Sequence, residues 1–305
     1  MSNAVIVSDL VKNYGDTQAL RSINLEVNSG ELFGLIGPDG AGKTTLIRIL
    51  ATLLVSNSGS AEVLQHDVVK DYKLLRNKVG YMPGRFSLYQ DLSVEENLNL
   101  FASIHDTTIE QNYHLIKDIY SQIEPFKKRR AGALSGGMKQ KLALSCAMIH
   151  EPEILYLDEP TTGVDAVSRN EFWDMLTKLK ERGITIIVST PYMDEAELCD
   201  RVALMQSGQI LKVDSPQGIV ESFGKQLFAV RTNNKLHLAK DIEGFDYTST
   251  IHAFGGYFHY TDKRDSFNTD ELIQYLESQG HQDIEVKLIE PEIEDCFMAL
   301  MTEHE

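Results

Sequence analysis

The stretch Leu32-Phe33-Gly34-Leu35-Ile36, followed at once by Gly37-Pro38-Asp39-Gly40-Ala41-Gly42-Lys43-Thr44, decides the fold. The five apolar residues read as a buried strand. Thr45-Leu46-Ile47-Arg48-Ile49-Leu50-Ala51-Thr52-Leu53-Leu54, after the loop, reads as a helix that is amphipathic at first and then buried. A Gly-rich loop between a strand and a helix is the setting a phosphate-binding P-loop requires. Its glycines let backbone N–H groups close around phosphate oxygens, and the helix N-terminus adds partial positive charge. Lys43 would reach the β- and γ-phosphates of a nucleotide, and the Thr44 hydroxyl would ligate Mg²⁺. A Gly-rich turn that only imitates such a loop would not need both flanking elements.

Two further stretches narrow the reading. Glu153-Ile154-Leu155-Tyr156-Leu157-Asp158-Glu159-Pro160 is another apolar strand, ending in two carboxylates. Beside a P-loop strand, the terminal Asp158 points to the Mg²⁺ site through water, and Glu159 can polarise a water for attack on the γ-phosphate. Leu134-Ser135-Gly136-Gly137-Met138-Lys139-Gln140-Lys141 opens a helix that runs on through Leu142, Leu144, Ala147 and Met148. Ser135 can cap it, and Gly136 and Gly137 leave backbone amides open. An ordinary capped helix start would look the same. If this terminus does bind phosphate, its natural nucleotide is one held by a second subunit.

The order of P-loop, Leu-Ser-Gly-Gly signature and Asp158-Glu159 strand resembles the ATP-binding cassette of ABC transporters, over roughly residues 4 to 220. The resemblance implies an α/β P-loop NTPase domain of the ABC ATPase type, residues 1–222, with a helical subdomain at roughly 86–150 that starts near Ser93-Val94-Glu95-Glu96-Asn97-Leu98. ATP would be held by Gly37, Pro38, Asp39, Gly40, Ala41, Gly42, Lys43, Thr44 and Thr45, with Mg²⁺ at Thr44 and Asp158 and Glu159 as the catalytic residue. Tyr14 stands where the family places an aromatic that stacks on adenine. Thr161-Thr162-Gly163-Val164-Asp165 matches the family's D-loop, with Asp165 at a dimer interface. Leu198 to Val213 resembles the strands after the switch region, with Gly208 in a hairpin turn. Two cassettes, identical or different, would pair head to tail, so that Ser135, Gly136 and Gly137 of one meet the ATP of the other. The partner that does the transport would be a separate integral membrane permease. The chain would then sit in the cytoplasm, peripherally on the inner face of the membrane, and energise export.

Two positions depart from that family's pattern. After Val79-Gly80-Tyr81-Met82-Pro83 the family carries a Gln, and this chain has Gly84, followed by Arg85. After Ile186-Ile187-Val188-Ser189-Thr190 the family carries a switch His, and this chain has Pro191, which offers neither a polar side chain nor an N–H. The expectation is measurable but weak hydrolysis. Rescue by Thr190 or Tyr192 hydroxyls, or pairing with an intact cassette, would be ways round the loss.

Composition sets outer bounds. The chain has 305 residues, 42% hydrophobic, and a formal net charge of −16, which argues against a nucleic-acid partner. No apolar run approaches the roughly 18 residues of a membrane span, and Met1-Ser2-Asn3-Ala4-Val5 has no secretory pattern. Cys146, Cys199 and Cys296 match no metal spacing and read as reduced, partly buried thiols. Ser56-Asn57-Ser58-Gly59-Ser60 reads as a turn cluster.

Residues 226–305 read as a small accessory α+β domain. Its strands fall near Leu227–Arg231, Tyr257–Tyr260 and Ile284–Ile289, and its helices near Thr269–Leu276 and Glu292–Thr302. Pro291-Glu292-Ile293-Glu294-Asp295-Cys296-Phe297 resembles a pattern recurring in the drug- and antibiotic-exporting branch of the family. Its carboxylates read as helix N-terminal charges. His237, His252, His259 and His281 read as surface or packing residues. The alternatives to an exporter subunit are a non-transport cassette ATPase, which would carry coiled-coil insertions or two cassettes, and a regulatory cassette that hydrolyses weakly.

Overall fold

Two long strands, β1 (Asn3–Tyr14) and β2 (Thr17–Asn28), open the chain as an antiparallel hairpin. The computed structural model describes residues 2–264 and 267–303, which cluster into two units, Met1–Pro216 and Gln217–Glu305. In the first unit β1 also pairs with β4 (Ser58–Val63), which pairs with the short β5 (His66–Asp67). Ser58-Gly59-Ser60 therefore lies in a strand rather than in a turn. Pairing to β1 satisfies that backbone, and its small polar side chains cost nothing on an exposed face.

The second sheet of this unit has the order β10-β9-β3-β8-β7-β6, with β3 (Leu32–Ile36), β6 (Val79–Met82), β7 (Ile154–Asp158), β8 (Thr185–Thr190), β9 (Arg201–Gln206) and β10 (Gln209–Asp214). All pairs are parallel except the β9–β10 hairpin, which turns at Ser207 and Gly208 with positive φ. The strands β3, β7 and β8 are buried at every residue. Such a run without alternation is what a parallel sheet covered on both faces demands. The helix α1 (Lys43–Leu50) packs on β7, β2 and β4, so one core joins both sheets through Val5, Leu25, Phe33, Leu46, Ile49 and Tyr156. It is shorter than the sequence suggests. The chain turns at Thr52, φ 60°, where the Leu53 N–H reaches back to Arg48 O.

A short helix α2 (Tyr72–Leu75) precedes β6. Between β6 and β7 come α3 (Val94–Ile104), α4 (Ile109–Tyr120) and α5 (Gly136–Met148), packed on one another. Ser93 and Thr108 each close a reciprocal capping box, with Glu96 and Gln111. The helix α6 (Ala166–Glu181) links β7 to β8. Among the described residues, no helix is long and apolar enough to cross a membrane.

The helix α7 (Pro216–Glu221) leads into the second unit, a sheet of order β12-β13-β11-β14. Its strands are β11 (Leu227–Arg231), β12 (Thr248–Phe254), β13 (Tyr257–Asp262) and β14 (Glu285–Ile289), with helices α8 (Lys235–Glu243), α9 (Thr269–Ser278) and α10 (Ile293–Glu303). Sequence reading missed α8 and β12. The α8 segment lacks a side-chain cap and has only Leu238 and Ile242 fully buried, while no residue of β12 is fully buried. Asp295 is more than a terminal charge. Buried at the start of α10, it accepts from the Glu292 N–H and bonds His259 Nδ1 at 2.6 Å. His281 is likewise buried between Asp241 and Thr232, at 2.9 Å from each. All three cysteines are buried and none forms a disulfide.

Candidate nucleotide site

The carboxyl ends of the parallel strands meet on one edge, which is where such sheets place ligands. Leaving β3, the chain forms the P-loop and enters α1 through Gly42, whose φ is 105°. A Cβ on Gly42 would lie 2.7 Å from Ala19 O, so position and conformation both exclude a side chain. Lys43 is almost fully buried, and its Nζ donates to Gly37 O at 2.6 Å and Pro38 O at 3.0 Å. Its remaining charge faces Glu159, Oε1 lying 3.5 Å away. A buried ammonium held by backbone carbonyls inside a glycine loop suits the phosphates of a nucleotide.

The strand β7 ends at Asp158, beside Ser189 on β8. The Thr44 hydroxyl and the Ser189 hydroxyl each donate to Asp158 Oδ1 at 2.8 Å. This oxygen-rich cluster suits a hard cation such as Mg²⁺. Ser189 was not singled out from the sequence; the signal available was its place as the last polar residue but one of a buried strand. Glu159 follows with φ 49°, a left-handed conformation that costs a non-glycine residue about 1 kcal/mol or more. Its N–H bonds Ser189 Oγ at 3.0 Å, which holds the twist.

Tyr14, Ala19, Gly40 to Thr45 and Glu159 line one cleft of about 270 Å³. Tyr14 is 48% exposed, at the end of β1, with Lys12 Nζ 5.5 Å from its ring. The structure thus brings Tyr14, the P-loop and Glu159 together. It does not bring the signature to them. Ser135 caps α5, its Oγ accepting from Met138 N, and Gly136 lines a different, smaller pocket with Gly84, Gln140 and Val164. Asp165 caps α6, its carboxylate accepting from the Ser168 N–H, a bond that lowers its pKa.

The two departures have structural counterparts. A Cβ on Gly84 would lie 2.8 Å from Asp158 O, so this position has no space for a side chain. Thr190 is fully buried and its hydroxyl is already spent, donating to Glu195 Oε2 at 2.5 Å and accepting from Tyr192 N at 3.1 Å. Rescue through Thr190 is therefore closed. Tyr192 packs its ring under Arg169, 4.8 Å away.

Comparison with known proteins gives the arrangement a family. The ABC transporter family model matches residues 20–162. The chain is 33% identical over 302 residues to the Nod factor export ATP-binding protein I of Rhizobium sp. (strain N33), covering 97% of this chain and 96% of that protein. The chain belongs to the ABC transporter ATP-binding family. Within it, the chain is 43% identical over 233 residues to the probable multidrug ABC transporter ATP-binding protein YbhF of Escherichia coli (strain K12), covering 75% of this chain. It spans only 40% of the length of YbhF. Among solved structures, cbiO1 from Clostridium perfringens, part of the ABC transporter complex cbiONQ, superposes with a TM-score of 0.66 at 27% identity, over 73% of this chain and 92% of that one. The ATP-binding cassette MJ0796, solved as a dimer in a post-hydrolysis state with ADP and Pi, gives 0.62 at 25% identity, over 69% and 98%. The cassette is thus an ABC-type ATPase of the P-loop fold, and its family binds ATP.

Proposed function

We propose that this cassette energises export through a separate membrane permease, working as one half of a pair of cassettes on the cytoplasmic face. The observation that carries the reading is the cleft in which Tyr14, the P-loop and Glu159 meet beside the Thr44–Asp158 bond. ATP would lie there, its base against Tyr14 and its phosphates among the amides of residues 37–45 and Lys43. Mg²⁺ would be held by Thr44 and, through water, by Asp158. Glu159, freed from Lys43 once phosphate takes the ammonium, would accept the proton of the attacking water. Ser135, Gly136 and Gly137 line no part of this cleft, which supports their use on the nucleotide of a second cassette, with Asp165 at the interface. The relative named for Nod factor export supports the direction of transport. Residues 226–305 would be the accessory domain of that exporter branch.

A slow cassette that mainly regulates is the second reading, favoured by the missing side chain at Gly84 and by Pro191. Steady-state hydrolysis by pure protein separates the two. Glu159→Gln should bind ATP normally and lose about 100-fold or more in kcat, the usual order for a positioned general base. Hydrolysis unchanged in that variant would remove Glu159 from its assigned role.

A further inference from the structure

Pro191 leaves the chain after β8 without a polar side chain at that position. We infer that Arg169 and Glu195 form a positioning clamp that holds the end of β8 against the P-loop and ties it to the helix beginning at Asp165. The inference rests on the reading of this edge as an ATP-hydrolysing site.

The chain of contacts is short. The Gly37 N–H, first of the P-loop, donates to Thr190 O at 3.3 Å. The Thr190 hydroxyl donates to Glu195 Oε2 at 2.5 Å. Glu195 is 1% exposed, and a carboxylate so buried is costly unless a cation answers it. The cation is Arg169, whose Nε lies 3.9 Å from Glu195 Oε1. Both atoms are buried and neither has a hydrogen-bond partner. They therefore face each other across a gap about 1 Å too wide for a direct bond. Arg169 is held there from outside, by Asp194 at 3.5 Å and by the Tyr192 ring. It sits in the first turn of α6, where its own N–H bonds Asp165 O at 2.9 Å.

A small movement of that first turn would close the gap and pair the buried Glu195 carboxylate with the half-buried Arg169 guanidinium. The closed clamp would draw Glu195 and Thr190 toward α6 and reset the backbone bond to Gly37. A partner cassette seated at Asp165 would thus be felt at the P-loop without a polar side chain at position 191. Both residues act through Thr190, not on the nucleotide.

The chain's one tryptophan, Trp173, lies one turn further along α6 and reports on its movement. The test compares wild type with Arg169→Gln, Glu195→Gln, the double variant, Thr190→Val and Thr190→Ser. ATPase kinetics and the Trp173 fluorescence change on adding ATP are measured for each. A coupled clamp should cost each single variant about tenfold in kcat with KM within about threefold, and the double variant no more than the worse single. Thr190→Val should behave like Glu195→Gln, and Thr190→Ser like wild type. The Trp173 response should survive Glu159→Gln and fade in the clamp variants. The clamp is overturned if kcat stays near wild type, if the two losses multiply, or if the Trp173 response is intact without Arg169 or Glu195. Should Glu159→Gln hydrolyse ATP like wild type, the catalytic reading fails by itself and the fluorescence arm alone decides the clamp.

Discussion

At the scale of single residues, Gly84 shows how a missing side chain can be built into the backbone around it. Restoring the glutamine of the family pattern looks like a simple repair. The structure opposes it, because the new Cβ would press on Asp158 O from 2.8 Å and push the residue assigned to Mg²⁺. Gly84→Gln should therefore cost about 1–3 kcal/mol through overpacking, seen as a lower thermal midpoint. It should slow hydrolysis rather than speed it. A faster ATPase in that variant would show that the loop has room. The places of Lys43, Thr44, Asp158 and Glu159 were legible because each falls at the end of an apolar strand or the start of a helix. The absence of space at Gly84 was not legible, since it depends on a backbone oxygen 74 residues away in the chain.

At the scale of elements, the ends of α3 and α5 are joined by a stacked pair of histidines. The His105 and His150 rings lie 3.9 Å apart and nearly parallel, and His150 Nε2 bonds Val79 O at the start of β6. Burial, with the neighbouring His105 ring second, pushes the His150 pKa down to about 4, and burial also lowers that of His105. A folded pKa below the unfolded value near 6.5 means that the unfolded chain binds more protons between pH 6.5 and 4. The contribution of neutral His150 is complete above pH 6.5 and is lost as pH falls toward 4. Allowing for partial solvent screening, the loss is about 1–3 kcal/mol. The thermal midpoint of wild type should drop more between pH 7.5 and 5 than that of His150→Gln. Equal drops would mean that the pair does not titrate with unfolding. The pair was invisible in the sequence, where 45 residues separate its members. The elements themselves were more legible. Buried β3, β7 and β8 announce themselves as apolar runs, whereas α8 and β12 carry too few core residues to do so.

At the scale of the whole molecule, the proposed pairing would give each cassette half of each of two sites. The P-loop cleft and the pocket beside Gly136 share no residue, which supports the proposal that the signature serves the nucleotide of a second cassette. Glu159→Gln with ATP and Mg²⁺ should double its mass in light scattering, as phosphate contacts from two chains favour the closed pair. The same variant without nucleotide, or carrying Ser135→Arg, should remain single. A mass independent of nucleotide would argue against the shared site. The sequence by itself determined the strand–loop–helix of residues 32–50, the carboxylate strand and the capped signature helix. Each is one contiguous segment whose own backbone and side-chain spacing carry the chemistry. Only the tertiary structure decided that Thr44 and Ser189 converge on Asp158 from 114 and 31 residues away. It also decided that Glu195 takes up the Thr190 hydroxyl and that the signature stands apart from the P-loop. These depend on the order and register of parallel strands, which long-range packing sets and no local pattern encodes.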